Sequence, residues 1–276
     1  MKLLYLDYNV YIGLMSNNYS IIEYTESLKD ANYLSVYSPA HIEEVAVSTM
    51  RNNYPQDKTN EKLRFISDFN KDYELLPFYR RDTRVIYSDG IYLCEENPRV
   101  CYSRVVEDYS RNDYAEEVDR TVLEEAELLN IYKNDPKEFN NTEHSKVLQS
   151  VGDDIYKVFV NSLKSGYGII YSYNEEFGIK FSEIKHDFRL VECMFNVVFN
   201  FIERLRFYPE NKKNYRSRLH DVSHAIYASY SNKFVSGDRN FVNKLLVAYC
   251  FLSVDVDIVY MNYDKKSKSF IFTSIT

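Results

Sequence analysis

The stretch "LHDVSHAIYASYSNKFVSGDRNF" (residues 219–241) decides how the chain is read. It opens with helical spacing, in which Asp221, Ala225 and Ala228 share one face. It then passes through the short apolar run "KFVSG" and meets Asp238 before "RNFVNKLLVAYC" (239–250) resumes helical spacing. A brief apolar run cut off by a polar residue at its carboxyl end is how a buried parallel strand reads. The amino terminus repeats the arrangement: "KLLYL" (2–6) ends abruptly at Asp7, and "NVYIGLM" (9–15) follows, with Val10 and Leu14 at helical i, i+4 spacing and Ile12 between them. "YLSVYSP" (33–39) is another such run, and Pro39 is placed to open "AHIEEVAVSTM" (40–50) as a helix. "VDIVYMNY" (256–263) and "SFIFTSI" (269–275) read as final strands. Strands alternating with helices predict an α/β fold around a parallel sheet.

Between these ends the rhythm changes. "NEKLRFISDFNKDYELL" (60–76), "YAEEVDRTVLEEAELLNIY" (114–132) and "SEIKHDFRLVECMFNVVFNFIERL" (182–205) read as amphipathic helices. The last carries Ile184, Phe188, Val191, Phe195, Val198, Ile202 and Leu205 on one stripe. No convincing parallel strand is predicted here, with only "GYGIIYSY" (166–173) a candidate for edge pairing. The expectation is a split α/β domain, 1–51 and 217–276, enclosing a mostly helical insertion at 52–216.

Bulk properties narrow the class. The chain has 276 residues, 45% hydrophobic and 27% charged, a globular composition. Asp7 and Asn9 interrupt the leading apolar run, no small-residue cleavage site follows, and no window of about 18 apolar residues occurs. Cys94, Cys101, Cys193 and Cys250 form no CxxC pair. Those features predict a soluble, cytoplasmic protein with reduced thiols and no membrane partner. A net charge of −7 argues against a protein that coats nucleic acid, but not against a metal-dependent enzyme acting on phosphates.

Parallel sheets bind ligands at the carboxyl ends of their strands. Asp7 and Asp238 each follow a strand directly, Glu43 and Glu44 sit in the first turns after the second strand, and Asp221 opens the helix before "KFVSG". Such a set of hard oxygen donors suits one or two Mg²⁺ or Mn²⁺ ions, which relieve the mutual repulsion of the carboxylates. The plainer reading makes Asp7 and Asp238 helix caps and Asp221 a partner of its helix dipole. "HDVSH" (220–224) also places His220 and His224 at zinc-ligand spacing, but with Asp where a metalloprotease carries Glu and no obvious third ligand downstream. A His220-Asp221 phosphohydrolase pair expects an all-helical domain. Neither motif uses the acids at the strand ends. His224 then reads as a packed helix residue, His220 as a rim residue and His41 as a surface one.

"LDYNV" (6–10) resembles the LD-x-NV opening of PIN-domain nucleases, and "SPAHIEEVA" (38–46) resembles their second acidic helix. "DVSHAIYASYSNKFVSGDRNF" (221–241) is similar to their third and fourth acidic segments, with Ala four and seven residues after Asp221, then a strand, then Ser-x-Asp and Phe. The resemblance covers roughly 1–50 and 217–262, under half of the chain. It implies a PIN-like, Rossmann-type three-layer fold with a central parallel sheet, interrupted by the insertion. It also implies a divalent-metal-dependent ribonuclease leaving 5′-phosphate and 3′-hydroxyl ends, with Asp7, Glu44, Asp221 and Asp238 as catalytic metal ligands. Glu43 is the alternative register for Glu44, and Asn9 and Ser236 would support the ligands by hydrogen bonding. A flap-type DNA nuclease using the same acids and a catalytically inert scaffold are the alternatives. Tyr8 stands where Thr is often found, and is a candidate to stack on a base. Residues 204–220 hold six basic side chains, among them Lys212, Lys213, Arg216 and Arg218, against Glu210 alone, with tyrosines interleaved. That loop is a candidate phosphate contact. Expected partners are RNA and an inhibitory or regulatory protein, and an oligomer is compatible with the sequence. RNA processing, a toxin held by an antitoxin and phage defence all fit the resemblance.

Overall fold

The computed structural model describes residues 1–17, 32–52, 55–81, 83–109, 134–209, 215–264, 266–267 and 269–275; the helix expected at 114–132 lies outside them. The chain forms two compact units, each discontinuous in sequence. The first comprises Met1–Ala115, Tyr227–Arg239 and Val256–Thr276, and the second Glu116–Ile226 and Asn240–Asp255. These divisions differ from those drawn on the sequence: 52–115 falls with the strands of the α/β unit, and residues 217–226 and 240–255 fall in the other unit.

The first unit is built on a five-stranded sheet. β1 (Lys2–Leu6), β2 (Tyr33–Val36), β6 (Lys233–Ser236), β7 (Asp257–Asp264) and β8 (Ser269–Ser274) lie in the order β2-β1-β6-β7-β8. All neighbours are parallel except β7 and β8, so the sheet is mixed, mostly parallel and of α/β type. Leu3, Leu4, Tyr5 and Leu6 are buried in succession on β1 and Phe234 and Val235 on β6, as strands covered on both faces require. Helix α1 (Tyr8–Ser16) follows β1 after the single residue Asp7, and α2 (Pro39–Asn52) follows β2 with Pro39 at its first position. Val10 and Leu14 of α1 and Ile42, Val45 and Ala46 of α2 are buried in the same core as Leu4 and Leu6.

Residues 70–95 depart from the expectation. Helix α3 (Gln56–Asn70) stops where periodicity continued, and β3 (Tyr73–Leu76) begins three residues later. It pairs antiparallel with β5 (Tyr92–Glu95), which pairs with β4 (Arg84–Ser88), in a three-stranded sheet. Lys71 and Asp72 turn the chain with φ of 53° and 63°, left-handed values usually left to glycine. The Asp72 carboxylate accepts from Ser67 Oγ at 2.5 Å and from Asn97 Nδ2 at 3.2 Å, which fixes that turn. Helix α4 (Pro98–Tyr109) follows β5.

The second unit is helical in its described residues. It contains α5 (Pro136–Phe139), α6 (Gly152–Ser162), α7 (Phe181–Ile184), α8 (Phe188–Arg204), most of α9 (Tyr215–Ala228) and most of α10 (Arg239–Leu252). The long helix expected at 182–205 is broken into α7 and α8 by Asp187, whose side chain accepts from Arg189 N at 3.0 Å as an N-cap. All seven stripe residues from Ile184 to Leu205 are buried nonetheless. Residues 166–173 form no strand among the described residues; a π-turn covers Leu163–Tyr167. α9 starts at Tyr215, four residues before the sequence spacing suggested, so Asp221 sits in its second turn, beyond the reach of the helix dipole at the terminus.

Candidate functional site

β1, β2 and β6 run parallel, so their carboxyl ends share one edge of the sheet. Leu6 is level with Val235, which brings Asp7 and Ser236 to the same height one residue further on. The Asp7 amide donates to Val235 O at 2.8 Å, continuing the ladder past the last strand residue. Asp7 occupies the N-cap position of α1, yet its side chain makes no capping hydrogen bond. Instead Oδ2 accepts from Asn9 Nδ2 at 2.6 Å and from Ser236 Oγ at 2.5 Å. Ser236 Oγ in turn accepts from the amide of Asp238 at 3.0 Å, and Asn9 Oδ1 from the amide of Gly237 at 2.9 Å. A Cβ on Gly237 would approach Asn9 Oδ1 to 3.2 Å, so a side chain there would press on the amide that holds Asp7. The capping explanation therefore does not account for the Asp7 carboxylate, which is 5% exposed and held by two side-chain donors.

Glu44 reaches the same place from α2. A carboxylate oxygen of Glu44 lies within 4.8 Å of one from Asp7. Both Glu43 and Glu44 are half-buried in the second turn of α2. His41 explains the placement. It is fully buried rather than on the surface, its Nδ1 accepts from the Ser38 amide at 3.0 Å, and its Nε2 donates to Leu6 O at 2.6 Å. That tautomer clamps the first turn of α2 to the residue before Asp7, and Glu44 follows one helical turn after His41. Ser38 Oγ also bonds Tyr5 OH at 2.6 Å, which ties the clamp to β1. Sequence reasoning had no signal for His41, because a lone histidine at a helix start looks the same buried or exposed.

The remaining candidates divide. Asp238 follows β6 on the same edge, with an exposed side chain. Among the described residues, Asp7, Glu44 and Asp238 do not form a set with one oxygen each as close as the Asp7–Glu44 pair. Asp221 is half-buried and His224 buried, both on the part of α9 that belongs to the second unit. Lys212, Lys213 and the side chain of Arg216 lie outside the described residues. Arg218 corrects the expectation of an exposed basic loop: it is on α9, 3% exposed, and its guanidinium donates to Asn200 Oδ1. All four cysteines are free thiols, with Cys94, Cys101 and Cys193 buried.

The donor set suits a hard divalent cation. The Asp7 and Glu44 oxygens lie within 4.8 Å of each other, near the limit of about 4.2 Å for two ligands of one Mg²⁺ at about 2.0–2.1 Å each. Ser236 and Asn9 engage the same Asp7 oxygen, a second layer of hydrogen bonds of the kind that orients metal-binding carboxylates. Among the described residues no helix is long and apolar enough to cross a membrane. No family model, curated protein or solved structure matches the chain.

Proposed function

We propose that the first unit carries the centre of a PIN-like ribonuclease dependent on Mg²⁺ or Mn²⁺. The observation that supports this reading is the meeting of Asp7 and Glu44 at the carboxyl edge of a mostly parallel sheet, with the Asp7 carboxylate held by Asn9 and Ser236. Two carboxylates at that separation repel each other, and a cation turns the repulsion into binding energy. In this reading Asp7 and Glu44, with Asp238 on the same sheet edge and Glu43 beside them, hold one or two ions directly or through water. When bound, the cation would lower the pKa of a water and polarise a phosphodiester for in-line attack. Asn9 and Ser236 keep Asp7 in one rotamer, so the acid needs no reorganisation on binding. His41 does the same for the helix that presents Glu44. The products would carry 5′-phosphate and 3′-hydroxyl ends.

The test is cleavage of a labelled mixed-sequence RNA by the full chain with Mn²⁺, with EDTA, and by Asp7→Asn, beside a DNA of the same sequence. Mn²⁺-dependent RNA cutting that disappears in the variant supports the reading. Equal cutting by the variant sinks it, and preferential cutting of DNA moves the protein to the flap-type class.

A further inference from the structure

We propose that a pocket of about 350 Å³ between α1 and α3 seats a nucleotide flanking the scissile phosphate, with Lys62 as its phosphate contact. The proposal rests on the nuclease reading above and lies wholly within the first unit. One wall is a single face of α1: Tyr8, Ile12, Met15 and Ser16, spaced four, three and one residues apart. The other is Lys58, Glu61 and Lys62 of α3, one turn of helix. An apolar wall facing a basic one matches a nucleotide, whose sugar and base are flat or apolar and whose phosphate is anionic.

Two lining residues link the pocket to the acids. Tyr8 is the residue after Asp7 in the chain. Lys62 joins it from α3. Its Nζ donates to Ser48 Oγ at 3.3 Å, and Ser48 lies one turn beyond Glu44 on α2. The same ammonium sits 5.7 Å from the centre of the Tyr8 ring. Burial lowers the Lys62 pKa, and the nearby Glu44 carboxylate opposes that shift, so the two groups feel each other. Lys62 is thus a half-buried cation between the Glu44 carboxylate and the cavity. A phosphate entering there meets a charge that has already lost part of its hydration. Lys58 differs: it is exposed and paired with Glu61 at 2.7 Å, a rim contact that salt will screen.

Binding of a 5′-phosphorylated tetranucleotide RNA to the full chain in EDTA separates this subsite from the metal centre. Wild type is expected to bind, and Lys62→Met to bind about tenfold more weakly, the usual loss for a charge-assisted hydrogen bond. The same variant should reduce the slope of log affinity on log salt by about 0.7, one single-strand phosphate contact. A merely structural role for Lys62 would leave that slope unchanged. Lys62→Arg should keep most of the affinity, and Met15→Trp should abolish it by filling the cavity, with thermal melts confirming that each variant is folded. No binding by wild type, or equal binding by Lys62→Met and Met15→Trp, overturns the subsite. Binding in EDTA with these variant effects but no cutting in Mn²⁺ keeps the subsite and sinks the nuclease. Cutting that survives both variants with wild-type binding sinks the subsite alone.

Discussion

At the scale of single residues, the carboxylate pair depends on donors that a sequence pattern lists but cannot aim. Ser236 Oγ donates to Asp7 Oδ2 while accepting from the Asp238 amide, so one hydroxyl orients the Asp7 carboxylate and ties down the backbone of Asp238. Ser236→Ala should therefore weaken Mn²⁺ binding about tenfold, the usual cost of losing an outer hydrogen bond to a metal ligand, with the fold retained. Calorimetry on the two proteins checks it, and equal affinities would remove Ser236 from the site. A second carboxylate, far from these acids in the chain, behaves differently. Glu74 on β3 is fully buried, 3.4 Å from Arg104, which also pairs with Glu96. Burial lifts its pKa from 4.5 to about 8, against the pull of Arg104 and with help from Glu96. Unfolded, Glu74 titrates at its ordinary value, so between about pH 4.5 and 8 the folded chain holds a proton that the unfolded chain has lost. Stability from this residue is full below the lower value and is lost as pH rises through the upper one. The slope is at most about 1.4 kcal/mol per pH unit. Glu74→Gln should flatten that decline, read as urea midpoints from pH 5 to pH 8; an unchanged slope would mean that Glu74 is ionised in the fold.

At the scale of elements, the legible parts were those with abrupt ends. β1 stops before Asp7, β2 ends two residues short of Ser38, and β6 stops before Gly237 and Asp238; each was readable because an apolar run met a polar, glycine or proline residue. The strand-end positions of Asp7 and Asp238 followed directly. β3 was hidden because α3 ends at Lys71 and Asp72, two ordinary residues in left-handed geometry, where a reader looks for glycine or proline. The break before α8 was hidden because Ile184, Phe188 and Val191 keep helical spacing across it. Burial of single charges was equally silent. Lys244 on α10 and Glu203 on α8, both in the second unit, form an ion pair at 2.6 Å with each side chain 1% exposed. In the sequence they look like surface residues of amphipathic helices. Lys244→Met should cost about 3–5 kcal/mol, because Glu203 keeps its burial and loses its counter-charge. Adding Glu203→Leu should recover most of the loss in urea melts. If the double variant is no better than the single, the pair is serving something other than mutual neutralisation.

At the scale of the whole molecule, the sheet and the proposed centre close together. β1 has two neighbours, β2 from nearby sequence and β6 from beyond residue 232. Asn232 bonds β1 twice, its amide to Leu3 O at 2.9 Å and its side chain to Leu3 N at 2.8 Å, before β6 begins. The Ser236–Asp7 bond spans 229 residues of chain, so Asp7 acquires its donor only after that loop has closed. Closing a long loop is entropically expensive, and contacts of this separation slow folding. A fragment ending at Ala115 contains β1, β2, Asp7 and Glu44 but lacks β6, β7 and β8, three of the five strands of the main sheet. It leaves Leu4 and Leu6 without the neighbours that bury them and leaves one side of β1 as a bare edge. That fragment is expected to lack dispersed amide resonances and measurable Mn²⁺ affinity, although it holds both Asp7 and Glu44. A dispersed spectrum with Mn²⁺ binding would show that α1, α2 and the three-stranded sheet organise the acids alone. Loss of both would make the late pairing of β6 with β1 the step at which the fold and the proposed metal centre form together.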